Sequence, residues 1–338
     1  MDLQTIWFAL IGVLFIGYAI LDGFDLGVGV LHLFARTDHE RRVHLNAIGP
    51  VWDGNEVWLL TGGGALFAAF PVVYATVFSG FYIALMLLLA ALIFRAVAIE
   101  FRSKMESPRW RGFWDRAFGI GSLLPAILLG VAFGNILRGV PIDGQQMWTG
   151  SFAGLLNPYA ILVGLLSLCL FTMHGALYLS LKTEGELRAR VAAWIPASWM
   201  VTMGLYVVAT IATMFVSPFL FEDILKNPYF WVLFLLLLAA ALYIPVAAKS
   251  QRHGRALIAS SVMIACMIGV SALSLFPRLV PSLTDLRYSL TVTNASSSQT
   301  TLSTMFVIAL IGMPLVILYT VVIYRVFKGK VIITGESY

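Results

Sequence analysis

The stretch Ile20-Leu-Asp-Gly-Phe-Asp-Leu-Gly-Val-Gly29 includes two carboxyl groups, Asp22 and Asp25, inside an apolar run that begins near Ile6. A carboxylate at the centre of a bilayer costs about 2.5 to 3.5 kcal/mol on insertion scales, so such residues usually serve a pathway, an ion pair or a cofactor. No lysine or arginine in the run can neutralise them. The glycines have the small-xxx-small spacing that lets another helix approach closely. The stretch therefore predicts a membrane helix with buried acids.

The composition also indicates a membrane protein, because 60% of the 338 residues are hydrophobic and only 12% are charged. Such a chain has too few polar groups to cover its surface in water. Runs of about 20 apolar residues predict an all-α integral membrane protein, with nine transmembrane helices in a single transmembrane domain over residues 1–338. The predicted spans begin near Ile6, Pro50, Ala75, Ala117, Pro158, Ala193, Tyr229, Ala256 and Ser303.

The basic residues predict the orientation of these spans, since cytoplasmic loops retain lysine and arginine. Of the 22 basic residues, 18 fall in alternate connections on one side, and four fall on the other: Arg138, Lys226, Arg278 and Arg287. The N-terminus is therefore predicted outside and the C-terminus in the cytoplasm. No basic segment precedes the first apolar run, which favours a retained helix over a cleaved signal peptide. Charge confined to one membrane face does not indicate a nucleic-acid partner.

Four acids are predicted to meet in the cytoplasmic half of the bundle. Asp22 and Asp25 are three residues apart, so they share one helical face past the midplane. The motif Pro50-Val-Trp-Asp-Gly-Asn-Glu-Val-Trp58 brings Asp53 and Glu56 to a similar depth at the start of the second span. Burial and neighbouring like charges both favour protonation of a carboxyl group. The pattern predicts a proton inlet from the cytoplasm.

Structural interpretations of the same acids stay open from the sequence. Asp53 and Glu56 have the spacing of a capping box, in which side chains satisfy the free N–H groups at a helix start. Asp22 and Asp25 have a structural alternative as hydrogen-bonding groups beside a backbone loosened by glycine.

Other polar residues in the spans receive structural interpretations. Arg95 with Glu100, at the inner end of the third span, and Asp115 with Arg116, at the start of the fourth, are interpreted as interfacial ion pairs. His174 alone among the five histidines lies well inside a span, and it is interpreted as a hydrogen-bonded core residue. Haem ligation needs an axial His or Met aimed into a pocket. Neither a haem ligand nor a metal ligand is predicted from this chain.

Several motifs follow one another along the chain. The first are Asp22-Gly-Phe-Asp-Leu-Gly-Val-Gly29, Trp52-Asp-Gly-Asn-Glu-Val-Trp58, Gly62-Gly-Gly-Ala-Leu-Phe-Ala-Ala-Phe-Pro71 and Phe78-Ser-Gly-Phe-Tyr82. The later ones are Phe101-Arg-Ser-Lys104, Val131-Ala-Phe-Gly-Asn135, Gly139-Val-Pro141 and Ala295-Ser-Ser-Ser-Gln-Thr-Thr-Leu302. In this order, and over nearly the full length, the chain resembles subunit II of the cytochrome bd quinol oxidases.

The resemblance implies two four-helix bundles plus one peripheral helix, beside a similar subunit I. It implies that subunit I carries two haems b, one haem d and the quinol site, while this chain binds no haem. The complex then oxidises quinol and reduces oxygen to water in the bacterial cytoplasmic membrane, drawing protons from the cytoplasm and generating proton motive force. Small single-helix accessory subunits and membrane lipids are further candidate partners.

The resemblance also implies roles for particular residues. Asp53 matches the acid assigned to a proton route toward the oxygen-reducing haem, and Asp25 is its co-carrier or structural partner. Asp22 and Glu56 are interpreted as supporting groups, and Glu56 adds a proton-binding group where some members carry Gln. Trp52 is a candidate contact for a structural quinone.

Two other functions are alternatives from the sequence. A proton-coupled transporter would use the same buried acids, although matched halves with broken helices are not evident in the sequence. A passive scaffold would only stabilise subunit I, and it predicts that an Asp53→Asn variant keeps full turnover.

Overall fold

The computed structural model describes residues 2–333, most of which are helical. The helices are α1 (Leu3–His32), α2 (Asp38–Ile48), α3 (Trp52–Ala69), α4 (Pro71–Gly80), α5 (Tyr82–Phe101), α6 (Pro108–Arg138), α7 (Phe152–Leu155), α8 (Pro158–Lys182), α9 (Gly185–Val216), α10 (Pro228–Lys249), α11 (His253–Leu275) and α12 (Gln299–Val326). Two short strands, β1 (Arg278–Val280) and β2 (Leu290–Thr291), pair antiparallel.

Eight helices within residues 2–333 are long and apolar enough to cross a membrane: α1, α5, α6, α8, α9, α10, α11 and α12. This agrees with the predicted all-α integral membrane class. The second predicted span corresponds to α3, which is 18 residues long but less apolar, because Asp53, Asn55 and Glu56 lie near its start. The third predicted span is divided between α4 and α5 at Phe81.

Two long helices begin earlier than the apolar runs predict. We expected spans from about Ala117 and Ala193, whereas α6 begins at Pro108 and α9 at Gly185. The extra turns carry charged residues such as Arg109. An apolar run marks only the part of a helix that lies in hydrocarbon, and backbone hydrogen bonding continues into the interface.

Helix α1 packs between α3, α6 and α8, and its glycines permit this close packing. A methyl group at Gly27 would overlap the backbone carbonyl of Phe171 in α8, and Gly175 faces it from the same helix. A methyl group at Gly29 would overlap Ser122 of α6. The predicted small-xxx-small approach is therefore confirmed, and it holds the acids of α1 against protein.

The connection between α11 and α12 covers the end of the bundle where α3 ends. Val280 and Leu290 of the strand pair are buried. The backbone N–H of Ser297 donates to the carbonyl of Ala69 at 2.8 Å, and the indole of Trp7 donates to the carbonyl of Leu302 at 3.0 Å. This Ser- and Thr-rich segment therefore packs on the helix bundle.

Helix α12 differs from the others in how little of it is buried. Leu302, at its start, is the only buried residue among the 28 that form it. Near the C-terminal end of α12, the hydroxyl of Tyr324 donates a hydrogen bond to Asn55 of α3.

Candidate functional site

The acids of α1 meet an arginine from another helix. Arg95 of α5 is completely buried. Its Nη2 lies 2.6 Å from Oδ1 of Asp22 and its Nη1 lies 3.1 Å from Oδ2, a two-pronged pair. The interpretation of Arg95 as an interfacial residue is therefore wrong, because Arg95 is fully buried and pairs with Asp22 of α1.

The same guanidinium contacts two further carboxyl groups. Nη1 of Arg95 donates to Oε1 of Glu56 at 3.0 Å, and Nη2 lies 4.0 Å from Oδ2 of Asp25. Asp22 and Asp25 are fully buried, whereas the Glu56 side chain is 23% exposed. We call Asp22, Asp25, Glu56 and Arg95 the Arg95 cluster.

Asp25 has a second set of partners on other helices. Nδ2 of Asn55 donates to Oδ2 of Asp25 at 2.7 Å, and the hydroxyl of Tyr324 in α12 donates to Oδ1 of Asn55 at 3.0 Å. Oδ1 of Asp25 has no hydrogen-bond partner within residues 2–333. A series of hydrogen bonds thus runs from the largely exposed helix α12 through α3 to Asp25, whose Oδ1 has no hydrogen-bond partner within residues 2–333.

Asp53 does not join this cluster by hydrogen bonding. Helix α3 begins at Trp52, its cap residue is Val51, and no side chain caps it. The capping-box interpretation of Asp53 and Glu56 is therefore wrong, because Asp53 lies inside the first turn instead of before it. The Asp53 side chain is exposed, so three of the four predicted acids converge. Trp52 is half-buried and packs against the main core.

The charges of the Arg95 cluster do not balance when every acid is ionised. Three carboxylates and one guanidinium leave a net charge of −2. Uncompensated charge is costly away from water. The cluster is neutral only when two protons are shared among its carboxyl groups, so the arrangement is suited to take up and hold protons.

Sequence reasoning missed three members of this network: Arg95 as a partner, Asn55 and Tyr324. Asn55 had a signal, since it lies inside the motif that contains Asp53 and Glu56. Arg95 had a weaker one, a cation within an apolar run. Nothing in the sequence around Tyr324 indicates that it meets residue 55, which is 269 positions away.

The buried histidine of α8 is a core residue, as predicted. Nδ1 of His174 contacts the hydroxyl of Ser260, and Nε2 lies 3.0 Å from the carbonyl of Ile20. Both ring nitrogens are thus engaged within the protein. Within residues 2–333, no group of three or more His, Cys, Asp or Glu residues is arranged to hold a metal ion.

A second ionic group lies where α5 ends and α6 begins. Arg102 donates from Nε to Oδ1 of Asp115 at 2.5 Å and from Nη2 to Oδ1 of Asp38 at 2.6 Å. Nε2 of His32 lies 2.9 Å from Oδ1 of Asp115. We call these four residues the Arg102 cluster. The predicted ion pairing of Asp115 is confirmed, but its partner is Arg102, not Arg116.

Comparison with known proteins identifies the family of this chain. Residues 3–327 match the family described as cytochrome bd terminal oxidase subunit II. The chain belongs to that family. Cytochrome bd-I ubiquinol oxidase subunit 2 of Escherichia coli strain K12 is 39% identical, and the alignment covers 97% of this chain and 95% of that one.

A further relative and a solved structure are also similar to this chain. Cytochrome bd ubiquinol oxidase subunit 2 of Bacillus subtilis strain 168 is 38% identical over 98% of this chain and 97% of its own length. A chain from the structure of bd oxidase from Geobacillus thermodenitrificans has the same fold, with a TM-score of 0.82 at 17% identity, over 97% of this chain and 99% of that one.

Proposed function

We propose that this chain is the haem-free subunit II of a heterodimeric quinol:oxygen oxidoreductase in the bacterial cytoplasmic membrane. Its expected partner is subunit I, which would hold two haems b, one haem d and the quinol site. Because both nitrogens of His174 are engaged within the protein, this histidine is not free to bind a haem iron. Quinol electrons would reduce oxygen to water, and the consumed protons would come from the cytoplasm.

The proposed task of this chain is part of the proton supply, and the Arg95 cluster is the observation that carries it. Asp53 is exposed in the first turn of α3. Glu56, three residues later, lies on the same side of the helix. Glu56 contacts Arg95, which also contacts Asp22 and Asp25. The series leads from an exposed carboxyl group to a fully buried one.

Within this series, we assign proton uptake to Asp53 and proton holding to Asp25. Asp25 has one unpartnered oxygen and only a 4.0 Å approach to the guanidinium, so it is less committed to an ion pair than Asp22. Asp22 and Glu56 are the supporting groups, since both hydrogen-bond Arg95 directly. A proton carrier must release what it takes up, which favours the least tightly paired acid.

We also infer nine membrane crossings in one domain over residues 1–338. Helix α3 would be the ninth, because its 18 residues rise about 27 Å, close to the roughly 30 Å of a hydrocarbon core. The excess of basic residues at one end of the bundle supports an outer N-terminus and a cytoplasmic C-terminus. The shallow burial of α12 supports its role as a peripheral helix beside two four-helix bundles.

Trp52 is our proposed contact for a structural quinone. Its half-buried ring lies at the start of α3, beside Asp53, and packs against the main core. Small single-helix subunits are further proposed partners of the complex.

Oxygen consumption by the purified complex tests the proton assignment. Asp53→Asn and Asp25→Asn are each expected to lower quinol-dependent turnover about 100-fold, the low end of what a positioned proton-transfer group contributes. Haem absorption spectra should be unchanged, and Asp53→Glu, which keeps a carboxyl group, should recover much of the activity. Full turnover in both Asn variants, with haems intact, would instead make the chain a passive scaffold.

A further inference from the structure

A cavity of about 280 Å³ lies where α3 begins and where α8 and α12 end. Lys182, Lys328 and Lys330 line it, together with Asn46, Val51 and Tyr178. No acidic side chain is among the lining residues within the described part of the chain. We call this cavity the lysine pocket. None of its lining residues belongs to the Arg95 cluster.

Hydrogen bonds hold two of the lysines in the wall of the pocket. Nζ of Lys182 donates to the carbonyl of Phe327 at 2.6 Å, and Nζ of Lys330 donates to the carbonyl of Thr183 at 2.7 Å. These bonds satisfy carbonyls at the ends of α8 and α12, which would otherwise repel an anion. Each ammonium has three N–H groups, so two remain on each lysine for a ligand.

The third lysine and the start of α3 add to the positive potential. Lys328 is exposed and makes no side-chain hydrogen bond within residues 2–333. Helix α3 begins after Val51, which lines the pocket, and its uncapped N–H groups carry partial positive charge, part of which the carboxyl group of Asp53 in the first turn offsets. Partial burial and the nearby Arg188 lower the pKa of Lys330, and Glu184 opposes this only in part. The surroundings are cationic, and they suit an anion.

The pocket also continues into an apolar surface. Val326 lines the pocket and is 65% exposed, and Val322, one turn earlier on α12, is also exposed. Membrane-spanning helices end at the depth of lipid head groups, and this end of the bundle carries most of the basic residues. A ligand with a phosphate and an acyl chain would match both parts of the surface. Basic pockets between helices on the cytoplasmic side bind anionic head groups in this manner.

We propose that the lysine pocket binds the phosphate of an anionic glycerophospholipid from the cytoplasmic leaflet, with an acyl chain along α12. The phosphate would accept hydrogen bonds from the three ammonium groups, and the acyl chain would cover Val322 and Val326. The proposal does not depend on the proton route, because lipid binding and turnover are separate measurements.

Lipid titration of the purified, delipidated complex tests this site. Binding of phosphatidylglycerol, phosphatidylcholine and inorganic phosphate would be compared by native mass spectrometry and by thermal unfolding. The double variant Lys328→Gln/Lys330→Gln should bind phosphatidylglycerol about 25-fold more weakly, since each basic residue contributes about fivefold. Lys249→Gln is the matched control, because Lys249 is an exposed lysine at the end of α10, outside the pocket.

Preferential binding of phosphatidylglycerol that is lost in the double variant and kept in Lys249→Gln supports the site. Recovery of binding in Lys328→Arg/Lys330→Arg supports a charge-based contact. Equal affinity for phosphatidylcholine, or an unaffected double variant, overturns the proposal. Displacement of the lipid by millimolar inorganic phosphate would assign the pocket to soluble phosphate and contradict the lipid source.

Discussion

Arg95 lies in α5 and Arg102 directly follows the end of that helix, seven positions later, and both are buried among carboxyl groups. Arg95 faces three acids and no second cation. Arg102 shares Asp38 with Arg111 and Asp115 with Arg41. The first group therefore has an excess of carboxyl groups, whereas the second is balanced by several arginines.

The difference separates a site that can hold protons from one that fixes structure. In the Arg102 cluster, charges are paired and Asp38 is 48% exposed, so neither acid needs a proton to be stable. Partial burial opposes ionisation of Asp38, but the hydrogen bond and charge of Arg102 outweigh it and lower the pKa of Asp38. In the Arg95 cluster, no such balance exists among the contacting side chains.

Among the variants that test this comparison, Arg95→Gln is expected to lower the stability of the complex most. Removing the guanidinium leaves three carboxyl groups near one another, and breaking a buried pair costs about 3 to 5 kcal/mol. We expect a lower thermal unfolding midpoint and a lower yield of the assembled complex. Arg95→Lys should recover little, because an ammonium cannot form the two-pronged pair with Asp22. Normal stability of Arg95→Gln would show that the acids do not need this cation.

Arg102→Gln should have a smaller effect and leave turnover per assembled complex unchanged. The lost hydrogen bonds to Asp38 and Asp115 would cost about 1.5 to 3 kcal/mol, as expected for bonds to charged groups. The measurement is thermal unfolding beside oxygen consumption. A loss of turnover with haems intact would contradict the structural role.

The pH dependence of the same variant sharpens the contrast. Because the folded-state pKa of Asp38 is lowered, its ion pair stabilises the fold above about pH 4, the unfolded value, and is lost as pH falls through the lower folded value. The part of the stability difference due to Asp38 should therefore shrink below about pH 4. A stability difference that does not change with pH would show that the ion pair of Asp38 does not contribute to it.

Tyr324→Phe would have the smallest effect on stability, about 1 kcal/mol for one hydrogen bond. It removes the donor to Asn55, which holds Asp25, so we expect a change in the pH profile of turnover and in the infrared band of protonated carboxyl groups. Tyr319→Phe is the matched control, because Tyr319 is an exposed tyrosine of the same helix. Identical profiles for both variants would exclude α12 from influence on Asp25.

Some residues of the site were predicted from the sequence, and others were not. Asp22 and Asp25 were found because an acid in an apolar run is a local signal. Asp53 and Glu56 were found by the same rule. That Asp53 is exposed while Glu56 contacts Arg95 depends on where α3 begins and on which helices pack beside it. Arg95 was assigned to the interface because its true partner, Asp22, lies 73 positions earlier.

The sequence by itself determined the membrane class, most helices and the acids in the first span, because these follow from local hydrophobicity and length. The tertiary structure decided that Arg95 faces three carboxyl groups, that Asn55 links Asp25 to Tyr324, and that Lys182 lines one pocket with two lysines from the C-terminal end of the chain. Ion pairs between helices join residues that are far apart in the sequence, so a local sequence pattern does not predict them.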